Sequence, residues 1–310
     1  MAIINFFKAL FSCNQPSLTP PPPAVPQSPV QPTVGGKKLA LLVGINKYMT
    51  PGNDLQGCVN DVNYIWEFLT SKRGYDPDNV RMLCDERATQ QNILERLEWL
   101  IGSAEPGDEL VFQYSGHGSS VRQRVDGKLE EEECQILCPT DLDWDNPLTD
   151  KILASYFKRV PQGAFLTFVV DACHSGSVDR DLKPGNPHPT KARYLAPPLD
   201  IAVRSRGRNL VNNRIGWKAL SGPTGNVTFI DGQRHMLISG CKDSQTSADA
   251  YIGGKYRGAM TASLNVMLDQ NDNAPWLTAH DGMLVWLNQN GYDQVPQLSG
   301  PTTNLNKRPF

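Results

Sequence analysis

Residues 109–120 read ELVFQYSGHGSS: an apolar run of strand length, ELVFQY, ends in a turn where His117 stands between Gly116 and Gly118. Residues 164–177, AFLTFVVDACHSGS, repeat the plan, and Cys173 takes the matching place just past a second apolar run. Working outward, residues 39–45 read as a strand, followed by a helical face of Val59, Val62, Ile65, Trp66 and Leu69. Residues 80–84 read as another strand, and Ile93, Leu94, Leu97, Leu100 and Ile101 form a second helical face ahead of the strand at 109–114. Further strands are expected at 134–138, 165–170 and 235–239, a helix at 259–268 and a last strand at 294–299. Near-continuous apolar strands separated by helices imply an α/β fold, a three-layer sandwich with a mostly parallel central sheet and helices on both faces.

In such sheets ligands bind outside the carboxyl ends of the strands, so His117 and Cys173 are expected to project toward one crevice. A thiol becomes a useful nucleophile when a neighbouring base favours its thiolate, and an imidazole fills that role at neutral pH. The developing oxyanion of an acyl intermediate needs backbone donors, and the amides of Cys173 and Gly118 are the candidates. His174 is read as structural.

The totals exclude other classes. With 30 Lys and Arg against 32 Asp and Glu, nothing global favours nucleic acid or an anionic membrane. Seven cysteines, an odd number at irregular spacings, fit reduced thiols in a cytoplasm better than a disulfide framework. Residues 1–12, MAIINFFKALFS, are apolar but lack the basic start of a secretory signal, and are read as a small amphipathic or disordered leader, a candidate docking segment for a partner or a membrane. Eight prolines between Pro16 and Pro32 predict an extended spacer, so residues 1–36 are leader and linker and the folded domain is residues 37–310. Between Lys183 and Phe229 the periodicity dissolves into Pro, Gly, Asn and basic residues, Lys191, Arg193, Arg204, Arg206, Arg208 and Arg214 among them. Excursions of that length are often functional.

YSGHGS and DACHSGS resemble the two catalytic signatures of the caspase-like cysteine peptidases, and of the metacaspases in particular. VGINKY with LQGCVND, ISGCKDSQTSADA and QVPQLSG resemble further segments of that family, in its order, and the Pro-rich leader resembles type I metacaspases and their bacterial relatives. The resemblance implies a caspase-like fold divided into a large-subunit-like part (37–183), a basic linker (184–230) and a small-subunit-like part (231–310). It implies a monomeric endopeptidase with a Cys173–His117 dyad that cuts protein substrates and its own basic segment between Arg180 and Lys218. It also implies that Asp61 and Asp171 line the pocket for the residue before the cut, with Ser115 and Cys58 beside them. Two recessed carboxylates demand a cation, so Arg or Lys is expected there. The alternative role for Asp61 is a helix N-cap.

No cofactor is expected to be required. Calcium, which many metacaspases bind, is a candidate activator, with Glu130–Glu133 and Asp150 as candidate ligands and Lys151 and Arg180 opposing it. Cys134 and Cys138 are read as core thiols rather than zinc ligands. The reading from another class is a caspase-like interaction module with a weak or vestigial site, and a third is a different thiol hydrolase or transferase on the same fold.

Overall fold

The computed structural model describes residues 36–124, 131–174, 187–199, 201, 226–230, 232–242 and 245–310. The leader, the proline-rich spacer and much of the basic excursion lie outside them.

Seven strands form the central sheet: β1 (Lys38–Gly44), β2 (Val80–Cys84), β3 (Glu109–Ser115), β7 (Phe165–Asp171), β9 (Val227–Phe229), β10 (His235–Ser239) and β13 (Gln297–Gly300). Their order is β2-β1-β3-β7-β10-β13-β9, parallel throughout except where β13 runs against β10. Successive side chains of a strand point to opposite faces, and both faces here are apolar. Leu39, Leu41 and Val43 of β1 join Phe112 of β3 and Phe168 of β7 in one core, while Ala40 and Leu42 join Val111 and Val169 in another.

Helices α2 (Gln90–Gly102) and α3 (Asp150–Phe157) cover the first face through Ile93, Leu97, Leu153 and Phe157. Each begins on a threonine cap: Thr89 accepts from the Asn92 amide at 3.2 Å and Thr149 from the Ile152 amide at 3.3 Å. Helices α1 (Cys58–Lys72), α4 (Ala259–Gln270) and α5 (Trp276–Gln289) cover the second face through Val62, Ile65, Leu264 and Met283. A short α6 (Thr302–Leu305) follows β13. The three-layer reading therefore holds, and none of the described helices is long and apolar enough to cross a membrane.

Three expectations need correction. The strand foreseen at 134–138 is β5 (Glu131–Leu137), and it lies outside the central sheet, paired antiparallel with β4 (Gly118–Arg124) and β6 (Leu148–Thr149). It is apolar because Cys134 and Ile136 pack a small core with Val121 and Leu195. The last strand begins at Gln297 rather than 294, since Pro296 has no N–H to give to a ladder. The excursion is not wholly a loop: its start contributes β8 (Lys191–Ala192), which pairs with β11 (Ala248–Ile252) and through it with β12 (Lys255–Gly258), and its end contributes β9.

Phe112 and Phe168 stack across neighbouring strands with ring centroids 4.8 Å apart, and Phe157 meets Phe168 edge-on at 5.2 Å. We expect Phe168→Ala to lower the unfolding free energy by about 3–5 kcal/mol in urea titrations. A loss well under 1 kcal/mol would mean that this layer does not hold the sheet to α3.

Candidate active site

β3 and β7 lie side by side with Ser115 opposite Asp171, and His117 and Cys173 each stand two residues beyond that pair. Both are buried. The His117 amide donates to the Tyr48 hydroxyl at 2.7 Å, and the two rings lie 4.8 Å apart. His117 Nε2 lies 2.7 Å from the carbonyl oxygen of Asn53. A carbonyl can only accept, so Nε2 carries the hydrogen and Nδ1 keeps its lone pair; Nδ1 is buried with no hydrogen-bond partner. Burial pushes the imidazole pKa down to about 4, so the ring is neutral near pH 7. The sulfur of Cys173 accepts the Ser247 amide hydrogen, with the sulfur of Cys241 3.9 Å away.

Beside this pair is a buried pocket of three carboxylates around one guanidinium. Arg193 Nη2 donates to Asp61 Oδ2 at 2.7 Å and to Asp249 Oδ1 at 3.0 Å. Its Nη1 donates to the Asp171 carbonyl at 3.2 Å and lies 3.3 Å from Asp171 Oδ2. All four side chains are 0–1% exposed. Asp61 is not a cap, because α1 starts from Gly57 and the Asp61 carboxylate instead accepts the Gly258 amide at 3.1 Å.

Asp249 and Asp171 sit at borrowed helix N-termini. The Asp249 carboxylate accepts the Gln56 and Gly57 amides ahead of α1, at 2.8 and 3.0 Å. Asp171 accepts the Thr261 amide at 2.9 Å in the first turn of α4, with the hydroxyls of Thr261 and Ser247 at 2.7 and 2.5 Å. Free amides and the helix dipole both favour an anion there. Neither helix has a capping side chain of its own, because Gly57 and Gly258 precede them. A Cβ at Gly57 would run into Asp249, and one at Gly258 into Asp171 and Arg193. Burial nevertheless pushes the Asp61 carboxyl up to about 7 against the pull of Arg193, and Asp171 and Asp249 push in the same direction. For Arg193 burial opposes the charge, yet the carboxylates and Cys58 hold the guanidinium well above its usual range.

The main chain of Arg193 is held as firmly. Its carbonyl oxygen accepts from the amides of Gly118 at 3.0 Å and Cys173 at 3.1 Å, the two donors singled out in the sequence. Its own amide donates to the Ser247 carbonyl at 3.0 Å. Gly118 has no room for a side chain, since a Cβ would collide with the Cys173 carbonyl and the His174 ring.

A scan against family descriptions matches residues 38–181 to "Metacaspase, peptidase C14 domain". Among curated relatives, Metacaspase-1 of Debaryomyces hansenii is 34% identical over 92% of this chain and 71% of its own length. The chain belongs to the metacaspase family of cysteine peptidases. Metacaspase-1 of Yarrowia lipolytica is 34% identical over 85% of this chain but 61% of its own length, so the chain spans roughly two thirds of such relatives. A crystal structure of a Geobacter sulfurreducens protein, 20% identical, superposes with a TM-score of 0.60 over 88% of this chain and 98% of that one.

Of the other metacaspase-derived expectations, Cys58 is buried close enough to Arg193 to raise its pKa, and Ser115 Oγ is buried with no hydrogen-bond partner. The candidate calcium ligands are only partly described. Glu130 lies outside the described residues, Glu131–Glu133 fall in β5, and Asp150 is buried at the start of α3 with its pKa pushed up to about 7 by burial. Among the described residues no three His, Cys, Asp or Glu side chains cluster to hold a metal ion. Sequence reasoning missed Asp249, Asn53 and Ser247. Asp249 lies inside the quoted segment ISGCKDSQTSADA, where a carboxylate between two alanines was its only signal.

We expect Gly258→Ala to lower the unfolding free energy by about 1–3 kcal/mol in urea titrations, because the added methyl meets the Asp171–Arg193 pair. Gly258 has an ordinary φ of −69°, so backbone strain does not enter. An unchanged transition would mean that the pocket closes less tightly than described.

Proposed function

We propose that this metacaspase is an endopeptidase that cuts proteins after Arg or Lys through a Cys173–His117 dyad, and that it also cuts its own basic segment. The observation that carries the reading is a pocket of three buried carboxylates holding a guanidinium while the same residue's carbonyl rests on the Cys173 and Gly118 amides. Three carboxylates left unpaired in a dry pocket are costly, so the residue before the cut must bring a cation. The fork of arginine reaches Asp61, Asp171 and Asp249 together, whereas lysine offers a single point charge, and Arg should be cut faster.

In this mechanism His117 Nδ1 takes the thiol proton of Cys173 and the thiolate attacks the carbonyl carbon. The two amides hold the oxyanion, each worth roughly 10²–10³ in rate. The imidazolium protonates the leaving amine as the C–N bond breaks. Neutral His117 then draws a proton from water, which hydrolyses the thioester and restores the thiol. We read the enzyme as a monomer, as the family resemblance implies, and a nucleophilic thiol suits a reducing cytoplasm. The reaction as drawn routes no step through calcium.

Fluorogenic peptides ending in Arg, Lys or Asp test the reading. We expect cleavage after Arg, slower cleavage after Lys, none after Asp, and loss of all activity in Cys173→Ala and His117→Ala; cleavage after Asp, or activity surviving in Cys173→Ala, contradicts it. The pH profile separates the two ionisations. His117 stays neutral until the pH nears 4, but Asp61 is ionised only above about 7, and a cation needs it ionised. KM for arginyl peptides should therefore rise as the pH falls from about 8 to about 6, with kcat much less affected.

A further inference from the structure

The strand that fills the cleft is the protein's own, and it is bound as a substrate strand would be. On the amino side of Arg193, β8 pairs antiparallel with β11, Ala192 opposite Ala248 and Lys191 opposite Asp249. Extended peptides add to a free sheet edge in this way. On this side the side chains of Lys191 and Ala192 are exposed, and Arg193 is the first to enter a pocket. On the carboxyl side the chain changes partner. Tyr194 bridges in parallel to Gly118, the Leu195 amide donates to the Gly118 carbonyl at 3.0 Å, and Ser119 Oγ donates to the Leu195 carbonyl at 2.6 Å. The change of partner falls at the bond that follows the carbonyl held by the Gly118 and Cys173 amides.

We propose that the Arg193–Tyr194 peptide bond is the enzyme's own first substrate, cut within the same chain, and that the uncut strand keeps other substrates out of the cleft. The inference rests on the functional reading above and adds the bond. A buried structural ion pair would explain the side chain alone. It would not explain why the carbonyl of the same residue takes both amides beside the nucleophile, nor why Arg193 Nε is left buried with no partner, a cost of the kind a permanent strut avoids.

The step balances without an added reagent other than water. The Cys173 thiolate bonds to the Arg193 carbonyl carbon, the C–N bond to Tyr194 breaks, and the proton on His117 passes to the Tyr194 nitrogen, which leaves as a new amino terminus. Water then replaces sulfur, leaving Arg193 as a carboxyl terminus. The two chain ends are no longer joined where the strand passes from β11 to β4, and arginine can leave the pocket.

Intact-mass measurement and amino-terminal sequencing of the full chain test the proposal. Wild type should yield a fragment beginning at Tyr194 that Cys173→Ala lacks, at a rate unchanged by tenfold dilution. Arg193→Gln should remove that fragment. Because this variant leaves three carboxylates unpaired and could fail to fold, Tyr194→Pro is the second variant: it keeps Arg193 in place and blocks the bond. Folded by its thermal transition, it should stay uncut and cleave arginyl peptides at least ~10-fold more slowly than cut wild type, because its cleft remains occupied. A wild type that cleaves arginyl peptides yet never shows a Tyr194 terminus overturns the inference and leaves the functional reading intact. Cutting that slows in proportion to dilution overturns cutting within the chain. Absence of both peptide cleavage and self-cleavage overturns the functional reading itself.

Discussion

Three carboxylates facing one guanidinium, all out of water, are the constraint around which this molecule is arranged. One cation does not neutralise three anions, and the remaining charge is met by the backbone. Asp249 leans on the amides that open α1, and Asp171 on the first turn of α4. Those helices in turn have glycine where a capping side chain would stand, so the pocket acids serve as their caps from across the fold. Pocket and helix starts are one structure: removing an acid uncaps a helix, and filling a glycine displaces an acid. Asp61 accepts the Gly258 amide just ahead of α4, and burial pushes its carboxyl up to about 7 against the pull of Arg193. Its ionisation therefore leans on a cation beside it.

The sheet places chemistry beside this pocket at little cost. Asp171 belongs to the pocket and Cys173 follows two residues later, while Ser115 stands opposite Asp171 with His117 two residues beyond. A single register between β3 and β7 thus sets recognition and reaction at a fixed spacing. The Asn53 carbonyl then selects the tautomer of His117, which leaves Nδ1 as the basic nitrogen, and burial keeps the ring uncharged. The Gly118 and Cys173 amides point at the same oxygen because both follow directly from those strand ends.

The central layer was legible because β1, β3 and β7 are buried on both faces and leave unbroken apolar runs, and the helical faces of α1 and α2 carry a clear period. His117 and Cys173 were legible because each follows such a run between small residues. The β4–β5 hairpin was not, since an apolar stretch like 134–138 looks the same whether it joins the main sheet or a small one. Asp249 was hidden for a different reason. Its partners are Gln56 and Gly57, more than 190 residues earlier in the chain, and local pattern carries no trace of a contact between them. Arg193 was visible only as one basic residue among many in a stretch without periodicity. Its burial depends on acids from α1, β7 and β11 that meet only in the folded chain.

Citrulline has the shape of arginine without its charge, and it isolates the interaction on which the account turns. The decisive measurement is kcat/KM for paired peptides ending in Arg or citrulline, in the wild type and in Asp61→Asn. Wild type should favour Arg by roughly 10²- to 10³-fold, and that ratio should narrow in the variant, which keeps Asp171 and Asp249, as activity on Arg falls. Equal rates on the two peptides in the wild type would contradict a pocket that recognises charge.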